Sequence, residues 1–175
     1  MRAAIILITM VFFIGCQNTE KQTNIMNDTN KIQQAISNLF VNTDNKNWKE
    51  VEELFASKVT LDYSSMTGNP ASEITPNEIT TGWKTVLPGF EYTHHQIGNF
   101  ITKIDGNKAH SFCYGTATHY LKDDNGNIWT VVGSYDFILK NIENNWEITS
   151  MKFNYKYQDG NNILIQKAID NAKSN

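Results

Sequence analysis

The chain has no basic excess. Its 175 residues carry 15 Lys and Arg against 18 Asp and Glu, a formal net charge of −3. Proteins that grip nucleic acid present a basic face, so nucleic acid is excluded as an expected partner. Long apolar runs are missing too. The one candidate, residues 3–14, falls short of the roughly 20 residues that a helix needs to cross a bilayer. There is no internal repeat and no sign of a second domain, and a hydrophobic content of 40% supplies one core and not two. Cysteine is scarce, with only Cys16 and Cys113. Of the four histidines none stands in a His-x-His pair. Two histidines and a carboxylate can form a facial metal triad, but nothing in the spacing calls for one, and no metal or organic cofactor is expected.

The N-terminus reads as a processing signal rather than part of the fold. Arg2 is a minimal positive region, the apolar run follows, and the run ends in Phe13-Ile14-Gly15-Cys16. That ending resembles the lipobox of bacterial lipoproteins, with Phe13 where leucine is usual. The resemblance implies a signal peptide at residues 1–15, a lipidated Cys16, and attachment to a membrane of the cell envelope, periplasm-facing in a Gram-negative cell. Several acyl chains hold a protein on a bilayer where one does not. Cys113 would then have no partner, and a buried inert thiol is expected there. Residues 17–27 are polar and aperiodic, and are expected to form a tether ahead of a single domain at residues 28–175.

The rest of the chain is organised around the stretch 91–100, which holds His94 and His95 side by side. It reads as the first strand of a meander, so one histidine faces the interior and the other faces away. Strand patterns follow at 108–121, 127–141 and 145–157, separated by Asp105-Gly106-Asn107, by 123–126 and by Glu143-Asn144. Four long strands curl under their own twist. A first helix is expected from Asp28 or Thr29, with Ile32, Ala35, Ile36, Leu39 and Phe40 on one face. A short helix is expected over 48–55, a short strand over 59–63 and a loop over 64–73. Thr75-Pro76-Asn77-Glu78 spells a capping box with proline at the first helical position. A last helix is expected over 163–173. The fold class is α+β, a cone-shaped curved mixed sheet closed by N-terminal helices.

In this order of elements the chain resembles the SnoaL-like branch of the nuclear transport factor two-like superfamily, which is cystatin-like, and within it scytalone dehydratase. The residues that carry the resemblance are Asp44 before a tryptophan-led helix, Asp62-Tyr63 on the short strand, Thr93-His94-His95-Gln96-Ile97-Gly98, and His119 on the next strand. The second pocket tyrosine of the dehydratase pattern is replaced by Thr43, and its polar pair on the third long strand has only Gly133 and Tyr135 nearby. The resemblance implies an apolar pocket for a small hydrophobic molecule. Alternation puts Cys113, Gly115, Ala117 and His119 on one face, where the small Gly115 and Ala117 leave room for a ligand, and Tyr135 is expected to line the pocket as well. The resemblance also implies a homodimer formed through the outer sheet face.

On this reading Asp44, Tyr63, His95 and His119 are the candidate catalytic residues. Three of them have a plainer role open to them: a helix end for Asp44, a core tyrosine for Tyr63, a core histidine for His95. His94 and His110 are assigned to the outer face. The expected chemistry is proton transfer beside a carbonyl, as in a cofactor-independent lyase or isomerase. Asp44 would orient His119 as the base, Tyr63 would polarise the carbonyl, and His95 would hold the leaving hydroxyl. The alternative is a module that binds a small ligand or a protein at the envelope without turnover.

Overall fold

In a computed structural model of the chain the backbone is described for residues 5–174, and side chains at position 22 and at 24–174. Arg2 and the side chain of Cys16, and with them the expected export and lipidation signal, lie outside the described residues. The first helix, α1 (Ile5–Asp44), runs unbroken for 40 residues. It passes through the stretch expected to be an unstructured tether, and Thr29 is not a cap: its hydroxyl donates to the Ile25 carbonyl one turn back at 2.9 Å. Residues 17–27 hold neither glycine nor proline. Once the apolar face from Ile32 onward is docked, extending the helix backward adds one hydrogen bond per residue without a new nucleus.

The elements that follow are α2 (Trp48–Glu52), β1 (Phe55–Asp62), α3 (Ser64–Thr67), β2 (Ser72–Ile74) and α4 (Pro76–Lys84). A 3-10 turn at Leu87–Gly89 leads into β3 (Tyr92–Asp105), β4 (Lys108–Tyr120), β5 (Ile128–Ile142), β6 (Asn145–Gly160) and α5 (Ile163–Ser174). Phe55 opens β1 rather than closing α2, because the parallel pairing of β1 with β6 begins there, opposite Ile148. The expected loop at 64–73 contains α3 and the start of β2. The capping box forms as spelled: the Glu78 N–H donates to Thr75 Oγ1 at 3.3 Å, and the Thr75 N–H donates to Glu78 Oε2 at 2.8 Å.

The strands make one mixed sheet in the order β2-β1-β6-β5-β4-β3. It is curved but not a closed barrel, since β2 and β3 are left as edges. Register shifts mark where it bends: between Gly98 and Ile101 in β3, with Asn99 at φ 56°, and at Val132/Gly133 and Ile138/Leu139 in β5. An extra residue on one strand kinks it and sharpens the local twist. Along β4 the odd positions from Ala109 to His119 are buried and the even ones are not. His110 thus faces outward, as expected, where its Nε2 meets Asp136 Oδ1 at 2.7 Å. The concave face is filled by α1, whose Ile32, Ile36 and Leu39 are wholly buried. Burying each such side chain contributes roughly 1.5–3 kcal/mol.

The turn before β3 is held by α5. A Cβ on Gly89 would strike the backbone of Ala168, whose carbonyl carbon would lie 2.5 Å away, and Asn171 Nδ2 donates to the Gly89 carbonyl at 3.2 Å. Gly89→Ala is expected to lever α5 off this turn and destabilise the protein by about 1–3 kcal/mol. Thermal melts check it, and an unchanged midpoint would show that α5 does not sit this close.

Candidate active site

The end of α1 meets the exposed edge of β3. Thr43 turns its hydroxyl back onto the Leu39 carbonyl at 2.7 Å, and the chain reverses at Lys46, which has a φ of 60°. Lys46 Nζ donates to the Phe90 carbonyl at 3.3 Å, tying the reversal to the start of β3. Asp44 is thereby set beside an edge strand that has unpaired backbone groups. Its Oδ2 accepts the His95 backbone N–H at 2.7 Å, and its Oδ1 accepts the Thr93 hydroxyl at 2.9 Å and the His95 ring Nδ1–H at 2.7 Å.

An ionised carboxylate only accepts, so Nδ1 of His95 must carry a proton, and in the neutral ring the lone pair is then on Nε2. The pair is well shielded, with His95 at 12% and Asp44 at 16% side-chain exposure, and the imidazole stacks on Phe40 at 5.2 Å. Burial works against the charge on Asp44. Hydrogen bonds from the His95 ring and backbone, the His95 charge and the Thr93 hydroxyl outweigh it, and the carboxyl lies below its usual range.

The carboxylate therefore belongs to His95 and not to His119, a correction to the pairing expected from the sequence. The reason is the sheet order. β3 lies at the edge, where Asp44 reaches it first, and β4 is one strand further in with His119 opposite Thr93. His119 instead donates from Nδ1 to the Trp129 carbonyl at 3.3 Å. Its ring lies 4.5 Å from Trp129, 4.9 Å from Phe90 and 6.1 Å from His95. Burial, then the nearby His95, push its pKa down to about 4, against the Trp129 hydrogen bond and Asp44. At neutral pH His119 is a neutral ring with a free Nε2.

Both histidines line a cavity of about 350 Å³ under α1 and α4. Its lining includes Tyr63, Ala117 and Tyr135, as expected. Tyr63 stands just past the end of β1, 6.0 Å from the Phe153 ring. Burial raises its pKa, with a hydrogen bond from Trp83 working the other way. Gly115 does not line the cavity. A Cβ there would collide with the Tyr135 ring, so the missing side chain makes room for tyrosine rather than ligand. Cys113 is buried, and its thiol is pushed up to about 12 by burial and by Asp136, which makes it inert.

Several wall residues were not assigned to the pocket from the sequence, notably Trp83, Trp129 and Phe153, and Phe40 was expected only on the apolar face of the first helix. Trp129 shares a strand face with Val131 and Tyr135, and that alternation was a usable signal. Thr93, now a ligand of the carboxylate, had none beyond its place in the motif. Among the described residues no three His, Cys, Asp or Glu side chains gather as a metal site would require.

With this geometry in place the kinship can be read. The SnoaL-like domain family matches residues 24–152. The chain belongs to the SnoaL-like family. Solved structures share its fold. A Kribbella flavida protein is 24% identical, with a TM-score of 0.76 over 81% of this chain and 99% of its own. A candidate scytalone dehydratase from Novosphingobium aromaticivorans is 16% identical, with a TM-score of 0.67 over 81% and 91%. A hexachlorocyclohexane dehydrochlorinase from Novosphingobium barchaimii is 10% identical, with a TM-score of 0.68 over 81% and 94%. Among curated proteins, none matches the sequence. The fold of this SnoaL-like chain is thus cystatin-like α+β, as its order of elements implied.

Proposed function

We propose that this SnoaL-like protein is a cofactor-independent lyase or isomerase that moves a proton next to the carbonyl of a small hydrophobic compound. The observation that carries the reading is His95 on the wall of an apolar cavity with Asp44 bonded behind it. His95 Nε2 takes the proton from the carbon next to the carbonyl, and Asp44 stabilises the imidazolium that forms. The Tyr63 hydroxyl donates to the carbonyl oxygen as it gains charge. Where the substrate carries a hydroxyl one carbon further on, the C–O bond breaks and the departing oxygen takes the proton from His95, so water leaves. Neutral His119 orients that hydroxyl by accepting its hydrogen bond. Relative to the sequence reading the histidines exchange roles: His95 is the base and His119 the holder. The solved relatives named for a dehydratase and a dehydrochlorinase support an elimination on this fold.

The test is exchange of the α-hydrogens of 1-tetralone for deuterium in heavy water, followed by NMR. Protein-dependent exchange above the buffer rate supports the proposal, and exchange at the buffer rate sinks it. Binding without turnover is the second reading. It is favoured by Thr43, whose hydroxyl is spent on the Leu39 carbonyl and gives the cavity no donor.

The same proposal places the domain on a membrane of the cell envelope through a lipid on Cys16. Its support is the Phe13-Ile14-Gly15-Cys16 pattern; no helix among the described residues is long and apolar enough to cross a membrane. Cys16→Ser is expected to release the protein from the membrane fraction and to remove the acyl mass from its N-terminal peptide. Unchanged fractionation and mass would refute the anchor.

A further inference from the structure

The cavity holds a second phenol that the proposed chemistry does not use. Tyr135 is 6% exposed and lines the same cavity as Tyr63 and the two histidines. Its hydroxyl makes no hydrogen bond among the described residues. Nor is it sealed in protein, for the one buried side-chain polar atom without a partner there is Trp146 Nε1. The oxygen is therefore within reach of a water-sized probe, on a residue that lines the cavity. Water can pair with it in the open cavity; a ligand that displaces that water must offer an acceptor, since a hydroxyl buried without a partner is costly.

The ring is held in one place. It packs against Phe40 at 4.9 Å, Phe153 at 4.9 Å and Phe137 at 5.8 Å. Two glycines make this packing possible. Gly115 leaves the space that the Tyr135 ring occupies, and a Cβ at Gly133 would come within 2.5 Å of the Phe153 ring. A phenol fixed on three sides with a free hydroxyl is a preorganised donor, and loses little freedom when it binds. Burial foremost, then Tyr63, Cys113 and Asp44, raise its pKa far above the usual phenol range. It stays protonated and can only lend its proton to an acceptor, not give it up.

We infer that Tyr135 donates a hydrogen bond to an oxygen of the bound compound, beside Tyr63, and so makes the cavity select oxygen-bearing ligands over hydrocarbons of the same shape. The inference rests on the proposed site but not on its turnover. The ligands are therefore those that carry a carbonyl or enol oxygen within reach of Tyr135, with an apolar body on the aromatic wall that includes Trp129. A site built around buried donors rejects an analogue that lacks the acceptor, because the donors are then left unpaired.

The experiment compares 1-tetralone with tetralin, its oxygen-free counterpart, by calorimetry on the wild type and on Tyr135→Phe. Wild type is expected to prefer the ketone. The variant is expected to lose about tenfold in affinity for 1-tetralone and to hold tetralin unchanged. The infrared carbonyl stretch of 1-tetralone bound to wild type is expected below its position in hexane, and to move part of the way back in the variant. Three outcomes overturn the inference: no ketone preference in the wild type, equal losses for both ligands in the variant, or a bound stretch that matches hexane. The infrared measurement on wild type decides even if the variant folds poorly. His95→Gln separates this from the proposed reaction: it is expected to stop deuterium exchange and to leave the ketone preference in place. A protein with the preference but no exchange would retire the reaction and keep the donor.

Discussion

Asp44→Asn and His95→Gln are each expected to cut protein-dependent deuterium exchange of 1-tetralone by about 10³-fold, within the usual worth of a general base. The two act through one bond. Asp44 Oδ1 fixes the His95 proton on Nδ1 at 2.7 Å, and Oδ2 holds the backbone N–H of the same residue at 2.7 Å. An asparagine amide can present its NH₂ to the ring, which turns the tautomer over and takes the lone pair away from Nε2. In His95→Gln the base itself is gone. Because the pair works as a unit, the double variant is expected to be little worse than either single one. Circular dichroism should show the sheet intact in all three. Exchange within threefold of wild type in Asp44→Asn would mean that the carboxylate is a strand-edge cap for Thr93 and His95 and nothing more.

The second large effect is on stability. His119 is 5% exposed and its pKa is lowered to about 4, against about 6.5 for an unfolded histidine. Between those values the unfolded chain binds more protons than the folded one, so stability rises with pH across that window. The contribution is complete above about pH 6.5 and shrinks as the pH falls, with about 3 kcal/mol lost by pH 4. Asp44 acts in a lower window: its pKa is depressed from 3.8, so its contribution persists until the pH falls below that range. Urea unfolding of wild type and His119→Gln at pH 7 and pH 4 isolates the histidine. Wild type is expected to lose about 3 kcal/mol more than the variant between the two conditions. Equal losses would show that His119 takes up its proton without unfolding, and that its ring is less enclosed than Trp129 and Phe90 make it.

Legibility along the chain followed the range of the forces involved. The capping box at Thr75 and Glu78, the strands ended by Gly106 and by Glu143-Asn144, and the inward phase of His119 and Ala117 rest on interactions among near neighbours, which repeat with a fixed period. The start of α1 was not readable. Whether a polar helix extends past its docked face depends on what that face packs against, and Asp28 and Thr29 are as suited to a cap as to a turn. Gly115 illustrates a subtler failure. A small residue facing inward reads as space for a ligand, but space is shared, and here the Tyr135 ring from the neighbouring strand fills it.

The two histidines and Ala117 at the cavity were legible in the sequence, because alternation decides which side chains of a strand look inward whatever lies next to it. The partner of Asp44 was not. Asp44 bonds a group 51 positions away, and His95 and His119 are both inward-facing histidines at equal strand phase. What separates them is that β3 ends the sheet and β4 does not. Only an edge strand leaves its N–H groups free to capture a carboxylate arriving from the end of α1, and the place of a strand in a sheet is set by the packing of the whole chain.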